Sequence, residues 1–441
     1  MTFLNQSPHP VRVTSPSPAG LWRHRDFRQL WAAETVSQVG TQITLLALPV
    51  LAVTILHATP LEMGVLTALE TAAFLVIGLP AGAWVDRWRR KWVLVVSDVV
   101  RAVALTSLPA AWLLDVLTLP QLFLVAAATG TATVFFDVAY QSYLPTLVAR
   151  DQIVDGNSKL ETSRAVAQVA GPGITGVLLR VLGAPLLIAL DALSFLVSAL
   201  FIGRIRHVDS TPDRATRRKL RAEIAEGLAF VVRHPLLRRM VACTSIFNLF
   251  SSMTMALLVL FVLRTLELSE STLGFVFSAG AVGGLLGAAT AAWFVRRVGE
   301  GRSIPLSAFV CAAFGVLLPL AAVGAPVVLL VCGWFGASWG VVAYNVTQVS
   351  FRQRLCPPTL LGRMNASVRF IVFGTMPVGG LLGGVLGDWL GVVPALWVAA
   401  VGGFVACLPV VLSPLMGMAD LPDEWDEGKV PAHDDAPARR G

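Results

Sequence analysis

Charged side chains make up only 14% of the 441 residues, against 55% hydrophobic ones, where soluble domains carry about 25% charged residues. A water-facing multidomain fold is excluded, and a chain that lives in lipid is expected. Cysteine is scarce too. Cys243, Cys311, Cys332, Cys356 and Cys407 stand singly, with no C-x-x-C and no neighbouring histidine. That excludes a zinc site and a disulfide framework and leaves them as small apolar packing residues. None of the four lysines (Lys91, Lys159, Lys219, Lys429) precedes Ser or Thr, so there is no Walker A phosphate loop and ATP does not drive the chain directly. All six histidines (His9, His24, His57, His207, His234, His433) fall outside the apolar runs, which removes an intramembrane histidine relay. No D-D-x-x-D-like cluster stands in a loop, as a metal-dependent transferase on lipid-linked substrates would need. Neither enzyme activity nor a metal or cofactor is expected. The polar, Pro/Ser-rich first 28 residues lack the apolar core and cleavage site of a secretory signal.

What is abundant is apolar sequence in runs long enough to cross a bilayer, about 20 residues each. Six lie at roughly 29–56, 61–85, 92–114, 119–142, 164–182 and 185–203, and six more at about 237–263, 272–295, 303–323, 326–350, 366–387 and 391–415. Between the sets, residues 204–236 are mostly charged, with Leu220, Ile224, Leu228 and Val231 on one helical face, as in a surface amphipathic helix. A tether that lets the halves rock and a plain solvated linker both fit it. Residues 416–441 form an acidic tail of disordered composition.

The charge of +7 does not mark a nucleic-acid surface, because the basic residues sit between apolar blocks and not on one soluble face. Of the 34 Lys and Arg, Arg180 and Arg264 fall on one side of the membrane, Arg101 and Arg369 within helices, and all others on the side of the N-terminus. The positive-inside rule then places both termini in the cytoplasm of a multi-pass plasma-membrane protein.

Short matches recur at half the chain length. Trp84 and Trp293 are 209 residues apart, Tyr140 and Tyr344 204, Asn157 and Asn365 208, and Pro172 and Pro377 205. Their common order predicts two parallel six-helix halves related by an axis along the membrane normal. The expected fold is all-α and integral to the membrane, with twelve transmembrane helices in two pseudo-symmetric six-helix bundles.

The stretch Gly78 to Lys91, Gly-Leu-Pro-Ala-Gly-Ala-Trp-Val-Asp-Arg-Trp-Arg-Arg-Lys, resembles the signature loop between helices 2 and 3 of the major facilitator superfamily. Leu-Pro-Thr-Leu-Val at Leu144, Gly-Asn-Ser-Lys-Leu at Gly156 and Glu-Gly-Leu-Ala-Phe-Val-Val-Arg-His-Pro-Leu-Leu-Arg at Glu226 resemble the branch of enterobactin exporters and macrolide-efflux proteins. Arg89 stands where the family usually has glycine, Arg296 replaces the aspartate in the second copy, and helix 4 lacks the arginine often seen in drug/proton antiporters. The resemblance implies a gate in which Asp86 and Arg87, with Gly82, Arg90 and Lys91, close the cytoplasmic side against helix 11 and Arg369. Gly82 should permit close helix approach, and Asp86 at a helix C-terminus needs a compensating positive charge. The basic cluster also serves as a topology signal. Gly171, Pro172 and Gly176 on helix 5 are similar to part of the antiporter motif, with ordinary glycine-rich packing an equal alternative.

Ionisable groups inside the membrane are costly and therefore functional candidates. Asp98 and Arg101, three apart, can pair, with Asp137 as a further partner. Glu70, without a basic partner at its depth, and Asp191 are candidates for proton coupling or for hydrogen-bonded packing; Glu34 is a third. As the resemblance implies, helices 1, 4, 7 and 10 line the central cavity, offering Phe136, Tyr140, Asn248, Trp334, Trp339, Tyr344 and Asn345. Aromatic faces with a few amides suit a bulky amphiphile. The function expected is a proton-coupled exporter of drug-, macrolide- or siderophore-class molecules, acting as a monomer with protons, a small amphiphilic substrate and the bilayer as its partners. A nutrient-uptake symporter, an uncoupled facilitator of the same fold and a non-transporting receptor or scaffold are the alternatives.

Overall fold

The structure is a computed structural model that describes residues 21–85, 87–149, 152–207, 228–356 and 361–418. Among these residues there are helices and no strands. The first half holds α1 (Arg25–Thr54), α2 (Pro60–Val76), α3 (Gly78–Val85), α4 (Arg90–Leu113), α5 (Leu119–Leu147) and α6 (Ile153–Gly203). The second holds α7 (Pro235–Leu260), α8 (Glu270–Val298), α9 (Glu300–Gly315), α10 (Leu317–Leu320), α11 (Pro326–Leu355), α12 (Leu361–Leu390) and α13 (Val392–Val411). Ten helices are long and apolar enough to cross a membrane, α9 and α10 together giving one of them. Two further crossings follow from local chemistry. The first is α2 with α3. It opens with a capping box, in which the Thr59 hydroxyl accepts from the Glu62 N–H and the Glu62 carboxylate accepts from the Thr59 N–H, and α3 follows α2 across Ile77. The second comes from α6, which breaks at Gly183, where φ is 76° and ψ 162°, a conformation closed to most side chains. Gly391, 208 residues on, repeats that joint between α12 and α13 with φ 93°. The twelve expected crossings are thereby accounted for.

Within the first half α6 packs along α1 and α4, and α5 along α4 and α2; within the second, α8 and α9 pack on α11, and α12 and α13 on α7. The halves meet through α2 with α12 and through α6 with α8. Both interfaces are built alike. A Cβ on Gly64 of α2 would lie 2.6 Å from the Gly380 carbonyl oxygen and 2.7 Å from Gly384 Cα, and one on Gly274 of α8 2.4 Å from the Pro172 carbonyl oxygen and 2.7 Å from Gly176 Cα. Only glycine lets these backbones touch. Gly64 and Gly274 are 210 residues apart and Gly176 and Gly384 are 208 apart, so the pseudo-twofold axis read from the sequence is written into the contacts.

The apolar core divides the molecule by depth. On the face away from Lys91 and Arg302, one cluster runs unbroken through both halves, including Leu51, Met63, Leu105, Ile188, Leu257, Val276 and Leu396. On the face that bears those basic residues, hereafter the basic face, the core is split. Phe27, Leu94, Tyr143 and Ile202 belong to a cluster of the first half, and Leu237, Ile304, Phe351 and Val410 to one of the second.

Residues 1–20 of the expected N-terminal tail, most of the amphipathic linker and residues 419–441 of the acidic C-terminal tail lie outside the described residues; residues 21–28, expected as tail, instead form a 3-10 turn at Leu21–Arg23 and the start of α1. Of the linker face, Val231 is buried and Leu228 is 40% exposed, in a helical turn over 228–233.

Candidate functional site

The face opposite the basic one is sealed. At the end of α7 a π-helical turn, Phe261–Thr265, carries Arg264 across to the first half, where Nη1 donates to the Ala58 carbonyl at 2.7 Å and Nη2 to the Val53 carbonyl at 2.6 Å. Helix α1 ends at Thr54, so the Val53 carbonyl is one of those left without an intrahelical donor. A guanidinium there also meets the negative end of the helix dipole. Beside it, Ser271 Oγ donates to the Gly176 carbonyl at 3.1 Å across the second interface. Sequence reading registered Arg264 only as a rare positive charge on this side; that rarity was its signal.

Toward the basic face the halves part around a cavity of about 630 Å³, bounded by Glu161 and Gln168 of α6 and by Phe247, Phe250, Trp334 and Ser338 of the second half. Trp334 meets Phe277 edge-on, with ring centroids 5.2 Å apart. A separate recess of about 470 Å³ is lined by Glu34, Tyr140, Asn157, Glu161 and Arg164. A third, of about 280 Å³, lies between α5 and α12, where Asp137 of the first half and Arg369 of the second line opposite walls together with Phe74, Asn365 and Phe373; these two charges are within electrostatic reach of one another.

The expected cavity residues divide. Trp334 lines the main cavity and Tyr140 the recess, whereas Asn248, Tyr344 and Asn345 surround a space of only about 50 Å³. There the Tyr344 hydroxyl lies 3.1 Å from the Met240 carbonyl, to which it donates, and the Asn248 amide donates to the Val372 carbonyl at 3.3 Å. Two assignments are corrected. Phe136 is buried beneath the Arg101 guanidinium, 4.4 Å from its ring. Trp339 faces α8, its Nε1 donating to Thr290 Oγ1 at 2.9 Å and its ring edge-on to Phe294. In both cases the aromatic face is taken by a neighbour within its own half.

The titratable groups gather in the first half. Arg101 Nη2 donates to Asp98 at 2.5 Å, Ser198 donates to the other Asp98 oxygen at 2.6 Å, and the guanidinium is held between the rings of Phe136 and Phe195. Both charges are buried; both Asp98 oxygens are engaged, while Arg101 Nε has no hydrogen-bond partner. Asp137 does not join it by hydrogen bond but faces the α5/α12 cleft. Asp191 is buried and accepts from Thr44 and, at 2.9 Å, from Ser194; the carboxylate rests where Gly40 leaves room. Glu34 accepts from Gln38 at 2.6 Å through one oxygen, and its second oxygen has no partner. Glu70 is half-buried, and among the described residues no hydrogen bond or ion pair reaches its carboxyl. Phe74, one helical turn along α2, lines the cleft between the halves.

Around the signature loop, Trp84 and Trp88 lie 6.1 and 5.9 Å from Phe135, and Lys91 Nζ donates to the Ile205 carbonyl at 2.6 Å, tying the loop to its own half. Asp86 lies outside the described residues. Gly82 is a correction: a Cβ there would meet nothing within 4 Å, because the halves are apart on this face. Gly171 packs on the Gln42 side chain, while Pro172 and Gly176 form the α6/α8 contact.

Residues 16–433 match the model of a family described as transmembrane secretion effectors. The chain belongs to that family. The chain is 28% identical over 377 residues to the multidrug efflux pump Tap of Mycolicibacterium fortuitum, covering 82% of the chain and 89% of the pump. With the enterobactin exporter EntS of Escherichia coli O1:K1 it shares 24% identity over 347 residues, 78% of the chain and 80% of the exporter. Its fold matches a crystal structure of a bacterial homologue of iron transporter ferroportin in inward-facing state, with a TM-score of 0.72 at 18% identity over 88% of this chain and 98% of the other. The chain is thus a multi-pass membrane transporter of the major facilitator fold and not an enzyme.

Proposed function

We propose that this transporter exports amphiphilic small molecules in exchange for protons, as a monomer working by alternating access, with its basic face in the cytoplasm. The observation that carries the reading is the apolar core, continuous through both halves on one face and divided on the other around the 630 Å³ cavity. A molecule built so admits a solute from one side only and must exchange which face is sealed in order to release it. The excess of Lys and Arg on the open side supports placing that side in the cytoplasm. Cavity size and aromatic lining suit a drug-sized amphiphile, and the efflux relatives favour the outward direction.

Glu70 is the proton carrier in this reading. Asp98 and Asp191 have their oxygens engaged by neighbours, while the Glu70 carboxyl is free to gain a proton from one side and lose it to the other. A membrane potential supplies about 2.3 kcal/mol per charge per 100 mV to such a cycle. When the basic face closes, Asp137 and Arg369 approach across their cleft, and Asp86 with Arg87 forms the gate at helix α12.

The test is uptake of candidate amphiphiles into inverted vesicles with and without a proton gradient. Accumulation should vanish when the gradient is collapsed and in Glu70→Gln, and should fall in Asp86→Asn. Accumulation indifferent to the gradient would defeat proton coupling, and a Glu70→Gln protein as active as the parent would remove Glu70 from it.

A further inference from the structure

The main cavity does not stop between the halves. From Glu161 on α6 it passes Phe247 and Ser338 and ends at Cys311 on α9 and Ala399 on α13, the two helices packed behind α11 and α7. It therefore runs through the interior of the second bundle to its rear wall. The first half differs: Asp98, Arg101, Asp191 and their partners occupy its interior, and its recess of about 470 Å³ is charged, lined by Glu34, Glu161 and Arg164.

The hollow is not a by-product of tight helix contacts. Gly283 and Gly287 have Phe335 and Trp339 backbone within 2.7 Å of a Cβ and must be glycine for α8 to reach α11. Gly315, Gly284 and Gly403, which line the cavity, are different. A Cβ on Gly315 would meet nothing within 4 Å, one on Gly284 only a Val342 methyl at 3.3 Å, and one on Gly403 nothing closer than 3.8 Å. Helix interiors disfavour glycine, yet Gly315 and Gly403 leave room for a Cβ without crowding a neighbour. A hollow of drug size that opens at the basic face and is lined mainly by apolar side chains has the form of a ligand pocket.

Its lining gives the chemistry of the occupant. Among the described residues around the cavity there is no Lys, Arg or His, and Glu161 at the mouth is the one charged side chain. We propose that the second bundle contains a substrate subsite of its own, inside the bundle and not between the halves, which takes the uncharged ring system of an amphiphile while a cationic group of that molecule stays at Glu161. That the occupant is a transported substrate rests on the export reading above; the subsite itself does not.

Cys311 at the rear wall reports occupancy directly. In full-length protein whose other four cysteines are alanine, N-ethylmaleimide should alkylate Cys311 through the open cavity. Tetraphenylphosphonium should slow that reaction at least tenfold, and its anionic isostere tetraphenylborate at equal concentration should not. Glu161→Gln should raise the phosphonium concentration needed by about tenfold, and Gly315→Leu, at a position whose Cβ would meet nothing within 4 Å, should abolish protection. Because Cys311 is buried, Ser338→Cys on the partly exposed wall of the same cavity is labelled alongside it, and reaction at either thiol that is equally fast under saturating phosphonium, which the protein nonetheless exports, would overturn the subsite. Protection by both ions alike would overturn the cationic assignment. Protection of Cys311 without gradient-driven export would defeat the export reading and leave the subsite standing.

Discussion

Glu70 and Gly280 stand at equivalent positions of the two halves, 210 residues apart, as Gly64 and Gly274 do. Their neighbours are exchanged as well. Glu70 is backed by Gly130, whose Cβ would lie 2.6 Å from the Glu70 carbonyl oxygen, and Gly280 is covered by Trp334, whose ring occupies the space a Cβ would need; Gly130 and Trp334 keep the 204-residue spacing of Tyr140 and Tyr344. One half thus carries a carboxyl at the place where the other carries an indole over glycine. The same asymmetry extends outward: engaged carboxylates and Arg101 fill the first half, and apolar space fills the second. Proton chemistry and solute binding are, in the reading proposed above, divided between the halves.

Arg264 sets the balance between the two faces. Hydrogen bonds from a charged donor contribute about 1.5–3 kcal/mol each, and Arg264 makes two of them across the halves. Arg264→Ala should therefore shift the population toward opening on that face by a factor of ten or more. A cysteine placed at Ser271, beside the α6/α8 seam, should label correspondingly faster with an impermeant maleimide. Arg264→Lys, which cannot hold both carbonyls in one plane, should fall between. Unchanged labelling in Arg264→Ala would show that the glycine seams alone hold the face shut.

The twelve crossings, the two halves and the joint at Gly183 were legible in the sequence, because each is a one-dimensional signal: apolar length, repetition at a fixed offset, or glycine and proline between runs. The lack of a basic neighbour at Glu70 could be read in the same way, whereas the role given to it is part of the proposal above. The partner of Arg264 was not, since Ala58 lies 206 residues away and backbone carbonyls carry no side-chain mark. Phe136 and Trp339 were misplaced because an aromatic on a cavity-forming helix shows its period but not which of its faces a neighbour has taken. The hollow of the second bundle escaped too. Glycine in a close contact and glycine beside empty space look identical until helices are placed.

Gly274 and Gly82 separate those two kinds of glycine. A side chain at Gly274 would drive into the Pro172 carbonyl at 2.4 Å, backbone that cannot rotate away. Gly274→Leu should fold, hold the sealed face apart and lower transport at least tenfold. Gly82→Ala meets open space in this conformation and should leave the melting temperature within about 2 °C of the parent, since surface changes of this kind stay within about 0.5 kcal/mol. If Gly82→Ala abolishes transport while the protein stays folded, Gly82 makes its close contact in the other state of the cycle.

Asp98 and Arg101 form a buried pair, and buried pairs behave asymmetrically. Removing one partner leaves an uncompensated charge and costs about 3–5 kcal/mol, whereas replacing both with apolar groups of similar size is often neutral. Arg101→Met alone should express poorly and melt well below the parent. Asp98→Leu with Arg101→Met should recover most of the stability, and its transport then decides whether the pair does more than pack. A double variant that melts normally and transports normally would confine the pair to structure; one that melts normally but is inactive would assign it to the cycle.

His234 gives the fold a pH limit. Its Nδ1 accepts from the Leu236 and Leu237 N–H groups at 3.2 and 3.3 Å and caps α7, a role open only to the unprotonated ring. Burial of the ring lowers its pKa from 6.5 to about 4. The unfolded chain therefore binds this proton before the folded one does, and the contribution of His234 is complete above pH 6.5 and lost as the pH falls toward 4. The melting temperature should decline across that window for this reason among others. His234→Asn, which keeps a capping oxygen and cannot be protonated, should flatten the decline, and an unaltered slope in the variant would mean that other groups govern the acid sensitivity.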